Sequence, residues 1–288
     1  MEVASTPSVQ KVNDFIAFIR ELNGHLQGEI ELSPANLRVT DLIRRLSIQL
    51  RSHYLPEEIQ SVLSNEYIRM NQRKLQDKLS EAEFLEELDY ARHVCKSEDS
   101  GLEFVTRLPN WHIYMALVSE ELSTLRRFIR KDGQTEKSPI VFVGSGPLPL
   151  SPIILHLCSD VEVICLEIDS AAYDASCSLL DRIGLGTKVT VILDNGSAFD
   201  YSSYNRIFVA SLVRNKTAVL DRIRRTSPYP LVAVRTAVGM RQIMYEGIDE
   251  SELSKQGWRI QARTWPDEKL VINSTLFLDR AAASGLPD

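Results

Sequence analysis

Three groups of residues have the types and spacing to do chemistry. Gly144 and Gly146 follow a strand-like run in "IVFVGSGPLPL", where a glycine turn lets the backbone approach a ligand closely. Glu81, Glu83, Glu86 and Glu87 crowd the segment "SEAEFLEEL", and a carboxylate placed beside an amine can take its proton. Arg235, Arg241 and Tyr245 lie in "VRTAVGMRQIMY". A guanidinium there either clamps a substrate carboxylate bidentately or closes a structural salt bridge.

The glycine turn suits one class of ligand. An acid ending the next strand-like run, Glu167 in "VICLEID", is spaced from Gly144 as one βαβ step requires and can hold ribose hydroxyls. The pair points to an adenosine-containing cofactor. A dinucleotide is disfavoured, because Pro149 and Leu150 stand where a third glycine belongs. Pro147 and Pro149 also remove N–H groups that a pyrophosphate would want at a helix start. S-adenosylmethionine carries no phosphate. The expected contacts are the turn Gly144, Ser145, Gly146, Pro147 and Leu148, then Glu167 with Ile168, then Asp194, Asn195 and Gly196 after the third run. Asp194 would reach the adenine amino group. The bland alternative is that the glycines only make a turn and Asp194 caps a helix.

Two halves with different periods must position these groups. In "SVQKVNDFIAFIRELNGHL" apolar residues recur at spacings of three and four, the signature of a helix with one buried face. "TDLIRRLSIQL" starts on a Thr-Asp cap signal, "LPEEIQSVL" has Pro56 in a first turn, and "SEAEFLEELDYARHV" and "WHIYMALVSEELSTLRRFI" continue the helical period to about Arg130. The polar stretch "KDGQTEKSP" then divides the chain, giving a helical cap or substrate domain over 1–135 and a cofactor-binding Rossmann-like domain over 136–288. Beyond it, "IVFVG", "VEVICLE", "KVTVIL", "RIFVA" and "LVAVR" alternate with helical runs, predicting an α/β doubly wound sheet. "WRIQARTW" and "LVINSTLFL" add two closing strands.

Bulk properties narrow the class. The formal charge of −6 argues against a general nucleic-acid binder, and "RRFIRK" and "DRIRR" read as solvated helix faces. Cys95, Cys158, Cys165 and Cys177 form no C-x-x-C pair and the five histidines are scattered, so no metal site is expected and the thiols read as reduced. The N-terminus lacks a signal-peptide pattern and no apolar run reaches membrane-spanning length. The expectation is a cytoplasmic protein without membrane or nucleic-acid partners. Self-association into a homo-oligomer stays open.

A family resemblance joins these pieces. "FVGSGPLPLSPIIL" resembles the signature of nicotianamine synthases and of their bacterial relatives that build opine metallophores of the staphylopine and pseudopaline type. "SEAEFLEEL" is similar to the family's Glu-Ala-Glu-x-x-x-Glu segment, and "LPNWHIYMALVSEEL" to its Phe-Pro-Tyr-Tyr-x-Asn-Tyr segment. "IFVASLVRNK", "VAVRTAVGMRQIMYEGI" and "LVINSTLFL" resemble later blocks in the same order, so the likeness runs from about Gln76 to Leu278. It implies a helical N-terminal half on a class I S-adenosylmethionine-dependent methyltransferase-like fold. It also implies transfer of the 3-amino-3-carboxypropyl (aminobutanoyl) group of S-adenosylmethionine onto an acceptor amine, releasing methylthioadenosine.

The resemblance further implies that Tyr114 lines the reaction chamber and that Glu81 or Glu87 contacts the acceptor amine. Helical spacing alone does not choose among the glutamates. Arg235, Arg241 and Tyr245 would bind substrate. Asn110 and Trp111 replace an aromatic pair of the family, Ile113 an asparagine and Val238 a histidine. These departures fit the bacterial branch making one transfer onto a free amino acid, histidine, whose product an opine dehydrogenase would condense with a keto acid. The competing readings are a small-molecule methyltransferase on the same fold and a cofactor-binding sensor without chemistry.

Overall fold

The computed structural model describes residues 7–97, 101–132, 138–266 and 270–281. Six helices come first: α1 (Pro7–Gly28), α2 (Leu37–Leu50), α3 (Pro56–Leu63), α4 (Glu66–Lys96), α5 (Leu102–Thr106) and α6 (Trp111–Asp132). The three-and-four spacing of α1 buries Phe15, Ile16, Ile19, Leu22 and Leu26 in a core shared with Leu42 and Leu46 of α2. α2 begins earlier than the Thr-Asp signal suggested. Asn36 is its cap, accepting from the Val39 N–H at 3.2 Å, while the Thr40 hydroxyl bonds back to the Asn36 carbonyl. α3 starts on Pro56 as expected, and Glu58 accepts from the Leu55 N–H at 2.8 Å.

The second half alternates β1 (Ile140–Val143), α7 (Leu150–Ser159), β2 (Val163–Glu167), α8 (Ser170–Arg182), β3 (Val189–Leu193), β4 (Arg206–Val209), α9 (Lys216–Thr226) and β5 (Leu231–Thr236). A 3₁₀ turn (Gly239–Ile243), α10 (Glu250–Lys255), β6 (Trp258–Thr264) and β7 (Ser274–Arg280) complete it. The strands form one sheet in the order β3-β2-β1-β4-β5-β7-β6, with β7 antiparallel to both neighbours. Strand order reverses between β1 and β4, so ligands are expected beyond the carboxyl end of β1.

Helices cover both faces of the sheet, which explains the continuous apolar runs. Ile140 and Phe142 of β1 join a core with α4, α6, α7 and α8 residues, whereas Val141 and Val143 join one with Val219 and Ile223 of α9. All seven expected strands are present. Only Leu270–Asn273 of the last run fall short of β7.

The expected domain division after residue 135 falls within 133–137, outside the described residues. α4 spans two cores. Its first half, with Ile68, Leu75 and Leu79, packs with α1, α2 and the 3₁₀ turn; its second half, with Ala91 and Val94, packs with the sheet. α6 joins the same sheet core through Val118, Leu122 and Leu125. The acidic segment therefore sits where the helical half meets the sheet.

Candidate active site

Beyond β1 the backbone turns through Gly144 at φ 81° and Gly146 at φ 67°, the left-handed region that side chains disfavour. Space forbids a side chain as well. A Cβ on Gly144 would meet Val213 Cγ2 at 2.5 Å, and one on Gly146 would meet Glu87 Oε2 at 2.6 Å. Both glycines keep accessible surface, but the side chains of Ser145, Pro147 and Leu148 are buried, so those residues offer a ligand only backbone.

Glu167 is 7% exposed and already bonded. Its Oε2 accepts from the Gly146 N–H at 2.8 Å, and its Oε1 from the N–H groups of Ile168 at 2.9 Å and Asp169 at 3.0 Å. The acid expected for ribose thus also braces the glycine turn. Ile168 beside it is 70% exposed, an apolar side chain left in the open at the sheet edge. Asp194 does not cap a helix; its Oδ1 accepts from the Asn195 N–H at 2.6 Å in the loop after β3. Asn195 is exposed, while Gly196 is buried, its carbonyl accepting from the Tyr201 hydroxyl at 2.8 Å.

Two carboxylate–phenol pairs lie near this edge, both carboxylates from α4 and the phenols from α6 and from the segment after β5. Tyr114, on the first turn of α6, donates to Glu87 Oε1 at 3.4 Å, and Tyr245 donates to Glu83 at 3.0 and 3.3 Å. All four side chains are partly buried. Burial pushes the Glu83 carboxyl up to about 7, offset by the bond from Tyr245 and helped by Glu86. Burial raises Glu87 well above the carboxylate range, with Glu83 adding to it, and also raises Glu86. Both phenols are pushed well up, first by burial and then by the facing carboxylates.

These raised affinities carry a stability consequence. The folded state holds a proton on Glu83 that the unfolded chain releases near 4.5, so stability falls as pH climbs from there to about 7. Glu83→Gln, which keeps the acceptor for Tyr245, is expected to be more stable than the wild type at about pH 8. The gain is of order 1 kcal/mol after discounting for partial exposure, and it vanishes near pH 5. Thermal unfolding at both pH values checks this; a gain equal at both removes the ionisation as its cause.

Two expected site residues are placed elsewhere. Glu81 lies on the opposite side of α4, its side chain 49% exposed and paired with Lys78 at 3.0 Å. Arg235 is 4% exposed and bound bidentately to the fully buried Glu121, Nε and Nη2 each at 2.9 Å, so its fork is not open to a substrate carboxylate. The Thr275 hydroxyl completes that pair at 2.6 Å from Glu121 Oε1, and the guanidinium lies 5.5 Å from the Phe142 ring centre. Arg241 lies partly buried in the 3₁₀ turn, four residues before Tyr245. Glu83 and Glu121 enter instead. Glu83 shared a helix face with Glu87 in the sequence, whereas nothing local marked Glu121. Among the described residues no group of His, Cys, Asp and Glu is arranged to hold a metal ion, and no helix is long and apolar enough to cross a membrane.

Comparison with known proteins bears on this geometry. A family model described as nicotianamine synthase protein matches residues 2–284. Nicotianamine synthase 3 of Oryza sativa subsp. indica is 26% identical over 202 residues, covering 64% of this chain and 56% of that protein. Nicotianamine synthase 9 of Hordeum vulgare is 26% identical over 193 residues, covering 63% and 55%. The chain thus matches little more than half the length of these relatives. Among solved structures, a glutamate-to-glutamine variant of MtNAS in complex with S-adenosylmethionine aligns at a TM-score of 0.79 and 21% identity, covering 93% of this chain and 98% of that one. MtNAS in complex with MTA and tNA aligns at 0.78, covering 97% and 100%. At that identity the likeness shows the fold, which is the class I methyltransferase-like, Rossmann-type sheet expected from the sequence.

Proposed function

The chain belongs to the nicotianamine synthase family, and on that premise we propose that it transfers the 3-amino-3-carboxypropyl group of S-adenosylmethionine to the amine of a free amino acid, releasing methylthioadenosine. The observation that carries the reading is the position of Glu87: its Oε2 stands over Gly146, where a Cβ would touch it, and its Oε1 accepts from Tyr114. A proton acceptor thus sits on the turn where the amino-acid end of the co-substrate belongs.

The residues at this edge fit S-adenosylmethionine. Gly144 and Gly146 keep the turn's backbone accessible where a side chain would clash with Val213 and Glu87. Glu167 keeps a lone pair on Oε2 for a ribose hydroxyl, and the exposed Ile168 can cover the adenine. The co-substrate supplies a sulfonium whose three carbons are all electrophilic. The protein selects one by where it holds the nucleophile, and Glu87 on the turn favours the methylene of the tail.

An acceptor amine arrives as an ammonium and cannot attack until it loses a proton. Glu87, with its raised proton affinity, is the group to take it. Each unit of that rise brings carboxylate and amine about 1.4 kcal/mol closer in proton affinity. The Tyr114 bond of 3.4 Å is long and would tighten when the amine docks. The freed lone pair then forms the N–C bond as the C–S bond breaks, and the sulfur leaves as the neutral thioether. Glu83 and Glu86, beside Glu87, favour an acceptor that arrives as a cation over one that carries a negative charge.

The branch assignment is part of the proposal. We place the enzyme with the bacterial opine-metallophore relatives, with histidine as acceptor, in the cytoplasm, upstream of a dehydrogenase that joins the product to a keto acid. Incubation with S-adenosylmethionine and histidine is expected to release methylthioadenosine. Gly146→Val should abolish measurable co-substrate binding by calorimetry, because φ and contact both exclude the side chain. Adenosylhomocysteine as the released nucleoside would make the protein a methyltransferase, and binding without any product would make it a sensor. A better turnover with glutamate or a second S-adenosylmethionine would keep the transfer and overturn the branch.

A further inference from the structure

Glu83 and Glu87 lie one turn apart on α4, about 6 Å along its axis, and each accepts a hydrogen bond from a phenol on a different element. Only the Glu87 pair stands on the glycine turn. The Glu83 pair lies toward the first half of α4, on the side of the segment that follows β5. Gln72 and Gln76 of α4 both donate to the Gln242 carbonyl at 2.7 Å, which ties that segment, and Tyr245 with it, to the helix. Arg235, the buried cation whose field reaches both phenols, is held by Glu121. Two carboxylates whose neighbouring cation is already paired make a receptor for two nitrogens, set about 6 Å apart.

We propose that the Glu83–Tyr245 pair reads a second nitrogen on the acceptor, and so determines its class. The acceptor is an amino acid whose side chain presents an N–H or cationic nitrogen at that distance from the attacking amine. An imidazole or a short side-chain amine qualifies. The inference rests on the transfer reading, in which Glu87 faces the reacting amine. An apolar side chain would cover the Glu83 carboxyl while giving nothing to its remaining lone pairs, which Tyr245 alone does not fill, a penalty that lets such sites reject analogues strongly. An acidic side chain would bring a fourth carboxylate to Glu83, Glu86 and Glu87 and be repelled.

The test compares kcat/KM for histidine and for thienylalanine, whose ring has similar shape but no N–H, at saturating S-adenosylmethionine. The wild type is expected to prefer histidine by about a hundredfold or more. That ratio should fall below about tenfold in Glu83→Gln and in Tyr245→Phe, with co-substrate Kd within about twofold of wild type in both. Melting temperature measured alongside identifies a variant that fails to fold, and the other variant then decides. An unchanged ratio overturns the proposal while methylthioadenosine release leaves the transfer standing. A rise in the Kd for S-adenosylmethionine with the ratio intact overturns it by assigning the pair to the co-substrate's own ammonium. Absence of methylthioadenosine with every acceptor removes the transfer reading and this inference together.

Discussion

Glu87→Gln is expected to lower turnover by about a hundredfold or more, the usual scale for a positioned base, while leaving affinity for S-adenosylmethionine within about threefold. The amide keeps the volume over Gly146 and can still accept from Tyr114, so the turn and the phenol stay in place. It cannot take a proton. Tyr114→Phe should cost less, because the ring still fills its place against the sheet core and only the hydroxyl is lost. Glu81→Gln serves as the control: its side chain is exposed and paired with Lys78, and turnover should change by less than about threefold. The acid limb of the wild-type rate profile should lie well above the ordinary carboxylate range, since burial and Glu83 both raise Glu87. Full activity in Glu87→Gln, or a fall in melting temperature without a fall in turnover, would reduce Glu87 to a structural residue.

Why Glu83 and not Glu81 accompanies Glu87 follows from helix geometry. Residues advance by about 100° around an α-helix, so Glu81 and Glu87 stand on different faces while Glu83 and Glu87 share one. Matching a motif by position carries no information about face; only the side of α4 that meets the sheet decides it. The strands were legible for the opposite reason. Sandwiched between helices, β1 and β2 are buried along their whole length, and Gly144, Gly146 and Glu167 follow at the spacing one βαβ step requires. Short elements escaped the reading. α10 and the 3₁₀ turn are too brief for periodicity to register, and the start of α2 hinged on whether Asn36 or Thr40, four residues apart, had the geometry to cap. The partner of Arg235 was beyond reach for a simpler reason. Glu121 lies 114 residues away in sequence, and only the packing of α6 over β5 and β7 brings the two together.

Glu121→Ala is expected to destabilise the fold by about 3–5 kcal/mol, because it leaves a guanidinium uncompensated in the sheet core. That is a large share of the total stability of about 5–15 kcal/mol typical of a domain. Arg235 would lose both of its bonds to Glu121, and the Thr275 hydroxyl would lose its acceptor. The double variant Glu121→Leu, Arg235→Met replaces the pair by apolar groups of similar volume and should recover most of the loss, as such replacements of buried ion pairs commonly do. Denaturant unfolding of both variants makes the comparison; equal losses in the two would mean that the charge is not the cause. Recovered stability would leave the reason for keeping the pair to function. Arg235 lowers the proton affinity of Tyr114 against burial and Glu87, which raise it. Without that cation the phenol donates less readily to Glu87, and the double variant is expected to fold yet turn over more slowly than the wild type.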